Sequence, residues 1–215
     1  MTGHPLFAAL YDRLLASAEE GGLQEMRATL LADATGRTLE LGAGTGHNLP
    51  HYAASVTELV LTEPDPHMAS RLRKHVAVEP PAPVDVRVLD APAEDLPFDD
   101  GSFDTVVSTL LLCTVEDPCR AVAEARRVLR PGGSLLYLEH VRDPDGARLA
   151  RWQDRLARPW GWIAGGCHPN RPTAETLAVG GLELESLHRE NFPNTAWTPW
   201  MTPMIRGTAR SAGSS

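Results

Sequence analysis

The sequence has little positive charge and almost no lysine. The net charge is −8 at pH 7, and Lys74 is the only lysine among 20 Lys and Arg residues. Nucleic-acid binding depends on clustered Lys and Arg that neutralise phosphates. The charge balance therefore argues against a general nucleic-acid-binding protein. We attribute the excess of arginine over lysine to a GC-rich coding sequence and draw nothing functional from it.

Cysteines and long apolar runs are also scarce. Cys113, Cys119 and Cys167 are too few and too scattered for a disulfide framework, which indicates a reducing compartment. No run approaches the roughly 20 apolar residues that span a bilayer. The N-terminus lacks the basic segment and apolar run of a secretory signal. We therefore expect a cytoplasmic protein without a membrane span.

The remaining composition is that of one globular domain, with 215 residues, 42% hydrophobic and 22% charged. Periodicity predicts five strands, at 37–41, 57–62, 84–89, 103–108 and 134–139. Helices are predicted at 7–15, 23–32, 46–53, 147–156 and 173–179, and after Asp65-Pro66 and Asp117-Pro118. Two closing strands, 182–190 and 204–209, are expected to pair antiparallel. This alternation predicts an α/β fold with a mostly parallel sheet of about seven strands, an antiparallel edge strand and helices on both faces.

The chain is expected to form a single domain with five segments. Residues 1–34 form an N-terminal helical cap, and 35–140 form the core that carries the motifs described below. Residues 141–172, where the periodicity loosens, form an insertion or lid. Residues 173–210 supply a helix and the closing strands, and 211–215 are a frayed tail.

The central motif is a glycine turn, Glu40-Leu41-Gly42-Ala43-Gly44-Thr45-Gly46, between the first strand and a helix. Such an arrangement is typical of nucleotide binding. The dinucleotide pattern requires a glycine at position 47, which is His47 here, so a nicotinamide-dependent dehydrogenase is disfavoured. Glu40 would repel a phosphate and favour a cationic group such as an amine. Glu63 lies 21 residues after Gly42, close to the ~20 expected for an acid on a ribose hydroxyl.

These motifs resemble those of the class I S-adenosylmethionine-dependent methyltransferases. The resemblance covers residues 37–140 through the glycine turn, residues 93–98, residues 101–104 and the helix stop at 129–133. It implies a Rossmann-like doubly wound fold, S-adenosylmethionine as methyl donor and S-adenosylhomocysteine as product. Many members carry Asp or Asn where this chain has Pro92, so an adenine contact from that side chain is not expected.

The resemblance also assigns roles along the cofactor. The methionine part would be held by Glu40, Gly42, Ala43, Gly44 and Gly46. The ribose would be held by Glu63 with the adjacent Pro64. The adenine would contact Met68, Ala93 and Glu94, and Thr109 and Leu110 would lie under the sulfonium end.

Further motifs resemble methyltransferase-like proteins that methylate alkyl thiols, and the chain also resembles the ubiquinone- and menaquinone-type small-molecule methyltransferases. The carriers are residues 108–115, 139–141, Trp152-Gln153 and Gly166-Cys167. The thiol-methylating proteins have a hydrophobic N-terminal anchor, which this sequence does not show. The resemblance implies a small-molecule acceptor.

The acceptor chemistry remains open at the level of sequence. A thiol, with a pKa of ~8.5, is partly ionised near neutral pH, whereas a phenol near 10 needs a base. His140, at the end of the fifth strand, and His168, in the lid, are the candidate catalytic bases, although each is equally well explained as structural. We expect methylation of a small, fairly apolar thiol. The alternatives are an O- or C-methyltransferase acting on a natural product or quinone precursor, and a non-catalytic S-adenosylmethionine-binding protein.

A Cys-His pair and a group of tryptophans also fall in the part of the chain where the acceptor is expected to bind. Cys167-His168 lacks partners at zinc-ligand spacing, so no metal site is predicted. Five tryptophans fall late in the chain, where they either line an apolar acceptor pocket or pack the insertion onto the sheet: Trp152, Trp160, Trp162, Trp197 and Trp200. The sequence does not indicate an oligomeric state.

Overall fold

A computed structural model describes residues 16, 18–78, 84–144, 147–192 and 199–211. The strands within these ranges are β1 Gly36–Leu41, β2 Val56–Thr62, β3 Asp85–Leu89, β4 Phe103–Thr109, β5 Leu129–His140, β6 Leu182–Leu184, β7 His188–Asn191 and β8 Pro203–Ser211. The α-helices are α1 Gln24–Leu31, α2 Pro66–Val78, α3 Pro118–Val128, α4 Ala147–Ile163 and α5 Thr173–Val179. Short helical turns occupy Glu19–Leu23, Leu49–His51 and Pro199–Met201.

The strands form one sheet in the order β3-β2-β1-β4-β5-β8-β6, and β7 also pairs with β8. Strands β1 to β5 are parallel, and β8 runs antiparallel to β5, β6 and β7. The chain moves outward from β1 to β3 and then returns to place β4 on the other side of β1. Ligands bind at such a switch point, outside the carboxyl ends of the strands. The predicted α/β fold is confirmed, with β8 lying next to the edge strands.

The predicted outer strand over 182–190 is divided into β6 and β7. Between them the backbone carbonyl of Ser186 accepts a 2.7 Å hydrogen bond from the Tyr137 hydroxyl. A Cβ at Gly207 would collide with that same carbonyl. The chain at Ser186 is therefore drawn across β8 toward β5, which interrupts the outer strand.

The sheet is covered on both faces because its central strands alternate their side chains between two apolar clusters. On β5, Leu135 and Tyr137 face one cluster, which also contains buried residues of α3 and α5 such as Val122 and Leu177. Leu136 and Leu138 face the other cluster, which contains buried residues of α1 and α2. The prediction of helices on both faces is confirmed.

The starts of two helices follow directly from the sequence. One carboxylate oxygen of Asp65 accepts the backbone N–H groups of His67 and Met68, at 2.7 and 3.2 Å, at the start of α2. Asp117 accepts the N–H of Arg120 at 3.0 Å at the start of α3. In both cases a capping Asp precedes a Pro at the first helical position, where the missing N–H costs no hydrogen bond.

Two helical predictions need correction. The helix expected over 46–53 is only a single turn at Leu49–His51, because Tyr52 adopts an extended backbone with ψ 128°. That conformation allows its hydroxyl to reach Glu40. The helix expected over 147–156 continues through Pro159 to Ile163, into the segment predicted to be irregular. Pro159 is exposed, so water can hydrogen-bond the carbonyl that loses its helical partner.

The described N-terminal part agrees with the predicted break between two helices. Gly22 has a φ of 122°, outside the helical range, and α1 begins two residues later. The helix predicted over 7–15, Trp197 and the last four residues of the predicted tail lie outside the described residues. Within the described ranges, no helix combines the length and apolar character needed to cross a bilayer.

Candidate functional site

The glycine turn lies at the switch point between β1 and β4. Gly42, Gly44 and Gly46 have φ values of 58°, 58° and 97°, a region that side chains other than glycine rarely adopt. A Cβ at Gly42 would also collide with the Leu111 side chain in the loop after β4. The turn is therefore built for close backbone approach, and the predicted glycine positions meet the conformational demand of a ligand cradle.

Glu63 ties the end of β2 to this turn. Its carboxylate accepts the N–H of Gly44 through Oε2 and the N–H of Asp65 through Oε1, each at 2.9 Å. The residue is 7% exposed, and burial raises its carboxyl pKa. Each carboxylate oxygen has a second lone-pair site, so Glu63 retains the capacity to accept hydroxyl groups. Pro64, beside it, is half-buried.

Glu40 is more enclosed than a direct ligand-binding role requires. It is 2% exposed, and its oxygens accept the Tyr52 hydroxyl at 2.6 Å and the Asn48 amide at 3.0 Å. Burial raises its pKa to about 7, against the lowering effect of these donors and of Arg27. Both carboxylate oxygens thus already have protein donors. Glu40 is therefore better placed to orient Asn48 than to contact a ligand directly.

Arg27 enters the same site from α1, and the sequence analysis gave it no role. Its Nη1 donates to Asn48 Oδ1 at 2.8 Å and to Thr109 Oγ1 at 3.1 Å, while Nε donates to Glu19 at 3.1 Å. Arg27 is 3% exposed. Arg27 lies on the same helical face as the apolar residues 23, 26, 30 and 31. A charged residue at such a core-facing position is the feature of the sequence that could have indicated its role.

The end of β4 contains a strained residue. Leu110 has a φ of 56°, the only positive value at a non-glycine position in the part of the chain that the structure describes. Its N–H is held by the carbonyl of Leu138 at 2.8 Å. Strain of this kind is retained where neighbouring structure enforces it, commonly at functional sites. Thr109, buried beside it, completes the predicted sulfonium end.

Glu139 enforces this conformation, and sequence reasoning missed it. Its carboxylate accepts the Ser108 hydroxyl at 2.8 Å, and it accepts three successive backbone N–H groups, of Leu111, Leu112 and Cys113, at 3.1, 3.0 and 3.3 Å. The residue is fully buried, and burial raises its pKa to about 7. Hydrophobic periodicity does not single out Glu139. The role of a carboxylate in a buried strand can be recognised only when the loop that it contacts is known.

Some of the residues predicted to contact the adenine already make contacts within the protein. Met68 and Ala93 are 7% and 3% exposed, and both lie beyond the carboxyl ends of strands. Glu94 directs one carboxylate oxygen to the N–H groups of Glu116 and Asp117, at 3.0 and 3.3 Å. Its main structural effect is to fix the loop before α3.

The two candidate bases both lie on the carboxyl side of the sheet. Burial lowers the pKa of His140 to about 4. The pKa of His168 is also lowered, by burial and then by the charge of Arg171. The backbone N–H of His168 donates to the carbonyl of Cys113 at 2.7 Å, which fastens the lid loop to the loop after β4. Both imidazoles are neutral at pH 7, and neither is a strong base there.

Gln153 of α4 fastens the insertion over this end of the sheet. Its amide nitrogen lies 3.0 Å from each of the carbonyl oxygens of Val141, Pro169 and Trp200, which share its two N–H donors, and its oxygen accepts the N–H of Asp143 at 2.8 Å. The side chain is fully buried. One residue therefore joins the end of β5, the lid loop and the turn before β8.

Two cysteines are also brought together here. The sulfur atoms of Cys113 and Cys167 lie 3.8 Å apart as free, buried thiols. The Cys167 hydrogen bond and burial raise the pKa of the Cys113 thiol well above its usual value. Both thiols are therefore enclosed where the lid loop meets the loop after β4.

Comparisons with known proteins agree with this geometry. Residues 39–137 match the family model described as methyltransferase domain. Human "Thiol S-methyltransferase TMT1B" is 37% identical over 182 residues, which span 83% of this chain and 73% of that protein. "Phosphatidylethanolamine N-methyltransferase" of Cereibacter sphaeroides is 35% identical over 153 residues, 70% of this chain and 72% of that protein.

Solved structures extend the comparison of the fold. A SAM-dependent methyltransferase of Thermotoga maritima, described as a possible histamine N-methyltransferase, superposes with a TM-score of 0.72. The match covers 96% of this chain and 97% of that chain at 22% sequence identity. At this identity the likeness establishes the fold alone.

Proposed function

The chain belongs to the class I S-adenosylmethionine-dependent methyltransferases, and from that premise we propose that it methylates the sulfur of a small, fairly apolar thiol. The observation that carries the proposal is the 37% identity to a human thiol S-methyltransferase over most of both chains. The state of the two candidate bases supports it. An acceptor that ionises by itself suits a site whose histidines are both weak bases.

The residues at the switch point fit S-adenosylmethionine, which supplies an electrophilic methyl group when bound. Gly42, Ala43, Gly44 and Gly46 would receive its methionine part on exposed backbone, and Glu63 would accept the ribose hydroxyls. Arg27 is placed to pair with the methionine carboxylate, because its guanidinium reaches both Asn48 and Thr109. Met68 and Ala93 would pack on the adenine.

The remaining residues orient the acceptor and exclude water. Glu139 holds the loop that carries Leu110, so that the end of β4 keeps one geometry beside the methyl group. Gln153 holds α4 and the lid loop together over the carboxyl end of β5. For methyl transfer, holding donor and acceptor at near-attack distance supplies much of the rate enhancement. The unbonded Cys113 and Cys167 thiols support a reducing, cytoplasmic setting.

Two measurements test the proposal. Calorimetry should show binding of S-adenosylmethionine to the purified protein, and mass spectrometry should show S-methyl products from a panel of alkyl and aryl thiols. Matched phenols should be methylated far more slowly. Methylation of the phenols without the thiols would contradict the thiol assignment, and cofactor binding without any turnover would favour a non-catalytic binding protein.

A further inference from the structure

Among the residues that the structure describes, three buried side-chain nitrogen atoms at the carboxyl end of β5 have no hydrogen-bond partner. They are Nδ1 of His140 and the indole Nε1 atoms of Trp160 and Trp200. Buried polar atoms in native proteins are nearly always hydrogen-bonded, and each exception requires an explanation. Three such atoms in one region suit a bound polar ligand as their partner.

The three side chains form one cluster although they come from separate segments. The indole rings of Trp160 and Trp200 meet edge to face, with centroids 5.9 Å apart. The His140 imidazole contacts the backbone of Met201, the residue after Trp200. Gln153 fixes this arrangement, since it bonds the carbonyls of Trp200 and Val141 on either side of the cluster.

The cluster lies next to the predicted position of the methyl group. Leu138 of β5 pairs with Thr109 of β4, and its carbonyl accepts the N–H of Leu110. His140 is two residues further along β5, about 7 Å by the rise of a strand. An acceptor atom held there is within reach of a donor seated over the end of β4.

We propose that these three nitrogens form the subsite for the sulfur atom of the acceptor thiol, an assignment that rests on the proposed function. The indole N–H groups of Trp160 and Trp200 donate to the sulfur, and Nδ1 of neutral His140 accepts a hydrogen bond from the S–H group. Two donors and one acceptor match a thiol group, which offers one proton and sulfur lone pairs.

The reaction at this subsite balances without a further reactant. The acceptor sulfur forms a bond to the methyl carbon, the bond from that carbon to the donor sulfonium breaks, and its electron pair stays on the donor sulfur. The thiol ionises before the transfer and its proton passes to solvent, since His140, with a pKa of about 4, does not retain it. Because two N–H groups favour the ionised sulfur, the bound thiol titrates at a lower pH than the free thiol.

Other ionisable groups belong to the elements packed around the cluster, and they bear on this pH dependence. They are Cys113 after β4, Glu139 of β5, Arg142 and Asp143 after β5, and Cys167, His168 and Arg171 of the lid loop. The Glu139 carboxylate is directed to the loop after β4, and Arg142 is paired with Asp154 at 2.9 Å. Variants of Trp160 and Trp200 leave all these groups in place.

The test is a spectroscopic titration of an aryl thiol bound to the protein with S-adenosylhomocysteine, following the absorbance of the thiolate. The wild-type complex should show a midpoint about one pH unit or more below that of the free thiol. Trp160→Phe and Trp200→Phe, which keep an aromatic ring and remove the N–H, should each return the midpoint toward the free value. Trp162→Phe is the matched control, since Trp162 is 92% exposed.

A wild-type midpoint equal to that of the free thiol would overturn the subsite, even if the Trp160 and Trp200 variants failed to fold. Equal midpoints in the Trp160, Trp200 and Trp162 variants would also overturn it. Failure of the proposed function is distinguishable, because the wild-type protein would then give no S-methyl product from the same thiol.

A second, independent observation concerns the outer face of α4. One side of this helix presents four arginines and two tryptophans to solvent: Arg148, Arg151, Trp152, Arg155, Arg158 and Trp162. The opposite side is buried through Ala150, Gln153 and Ala157. Trp162 is 92% exposed and Trp152 49%. The face is basic although the whole chain has a net charge of −8.

We infer that this face lies on the surface of a membrane that contains anionic lipids. Tryptophan rings are favoured at the headgroup level, and arginines on the same face are attracted to anionic headgroups. Asp154 does not oppose this charge, because it is paired with Arg142 and Asn170 away from the face. The inner side of the same helix carries Gln153 and Trp160, so apolar acceptors dissolved in the bilayer would reach the site by a short path.

Co-sedimentation with vesicles tests this surface. The wild-type protein should bind vesicles of phosphatidylcholine with phosphatidylserine, should not bind phosphatidylcholine alone, and should dissociate as salt increases. Exchange of Arg151, Arg155 and Arg158 to Glu, or of Trp162 to Ser, should weaken binding about tenfold or more. Arg120→Glu and Val179→Ser, on other exposed surfaces, are the matched controls. Absence of binding to the anionic vesicles, or equal binding by the Arg variant, would overturn the inference, and an acidic protein partner would then be the occupant.

Discussion

The guanidinium of Arg27 donates a 3.1 Å hydrogen bond to the hydroxyl of Thr109, 82 positions later in the chain. This contact joins the N-terminal helix to the strand end where the methyl group is expected. Through Asn48 the same guanidinium is linked to Glu40 at the glycine turn. The segment before β1 therefore contributes directly to the proposed cofactor site.

Replacement of Arg27 by Met should weaken both S-adenosylmethionine binding and stability. The loss of a charge-assisted contact to the cofactor carboxylate predicts about tenfold or weaker affinity by calorimetry. Leaving Glu19 and Glu40 without their cation predicts a loss of about 3 kcal/mol in the free energy of unfolding. Arg120→Met, at an exposed position, is the control. Unchanged cofactor affinity in a folded Arg27 variant would contradict this role.

Glu40 should leave a recognisable effect on stability as a function of pH. Its pKa is raised to about 7 from a usual value of 4.5, so the folded state binds more protons and the contribution of Glu40 falls as pH rises between those values. The slope is at most about 1.4 kcal/mol per pH unit. In urea unfolding, the free energy of unfolding of Glu40→Gln should therefore rise relative to that of the wild type as the pH increases from 4.5 to 7.

The comparison with the variant is needed because His140 acts in the opposite direction. Its pKa is lowered to about 4, so its contribution is present above pH 6.5 and is lost as pH falls toward 4. This effect is common to both proteins and cancels in the difference. A difference that stayed constant across the range would show that Glu40 is ionised throughout.

Glu139→Gln should reduce turnover more than cofactor affinity. An amide presents its NH₂ group to a site built from donors, so the loop from Leu111 to Cys113 loses part of its anchor and Leu110 is no longer held in its strained conformation. We expect kcat to fall about tenfold or more, with a smaller change in the Kd for S-adenosylmethionine. Steady-state kinetics and calorimetry provide the two values. Glu183→Gln, exposed on β6, is the control, and an equal effect of both substitutions would refute the assignment.

The three cysteines should react at different rates with a thiol reagent. Cys119 is exposed, whereas Cys113 and Cys167 are buried and the pKa of Cys113 is raised. In the folded protein, one cysteine should therefore react rapidly and two slowly. In denaturant, all three should react rapidly. Three fast equivalents in the folded state would contradict the enclosed thiol pair.

The sequence was sufficient for features that depend on local chain chemistry. The glycine turn, the capped starts of α2 and α3, and Glu63 after β2 follow from spacing and residue type. The structure places the Glu63 carboxylate on the N–H of Gly44, and its contact with a ribose stays a prediction. The α/β alternation likewise predicted the parallel sheet and its covered faces.

Features that depend on long-range contacts were not available from sequence. The extended backbone at Tyr52 is set by its bond to Glu40, which propensity does not register, so a helix was expected there. Glu139 and Gln153 are single polar residues in apolar surroundings, and their partners lie 10 to 47 positions away. The three unpaired nitrogens arise from segments that meet only in the folded chain.

The most direct measurement of the central claim uses one acceptor that carries both a thiol and a phenol, such as 4-mercaptophenol. The protein, S-adenosylmethionine and this compound are incubated near neutral pH, and the product is identified by mass spectrometry and NMR. We predict methylation of sulfur, with the hydroxyl left free. Methylation of oxygen by the wild-type protein would contradict the assignment of this site to thiols.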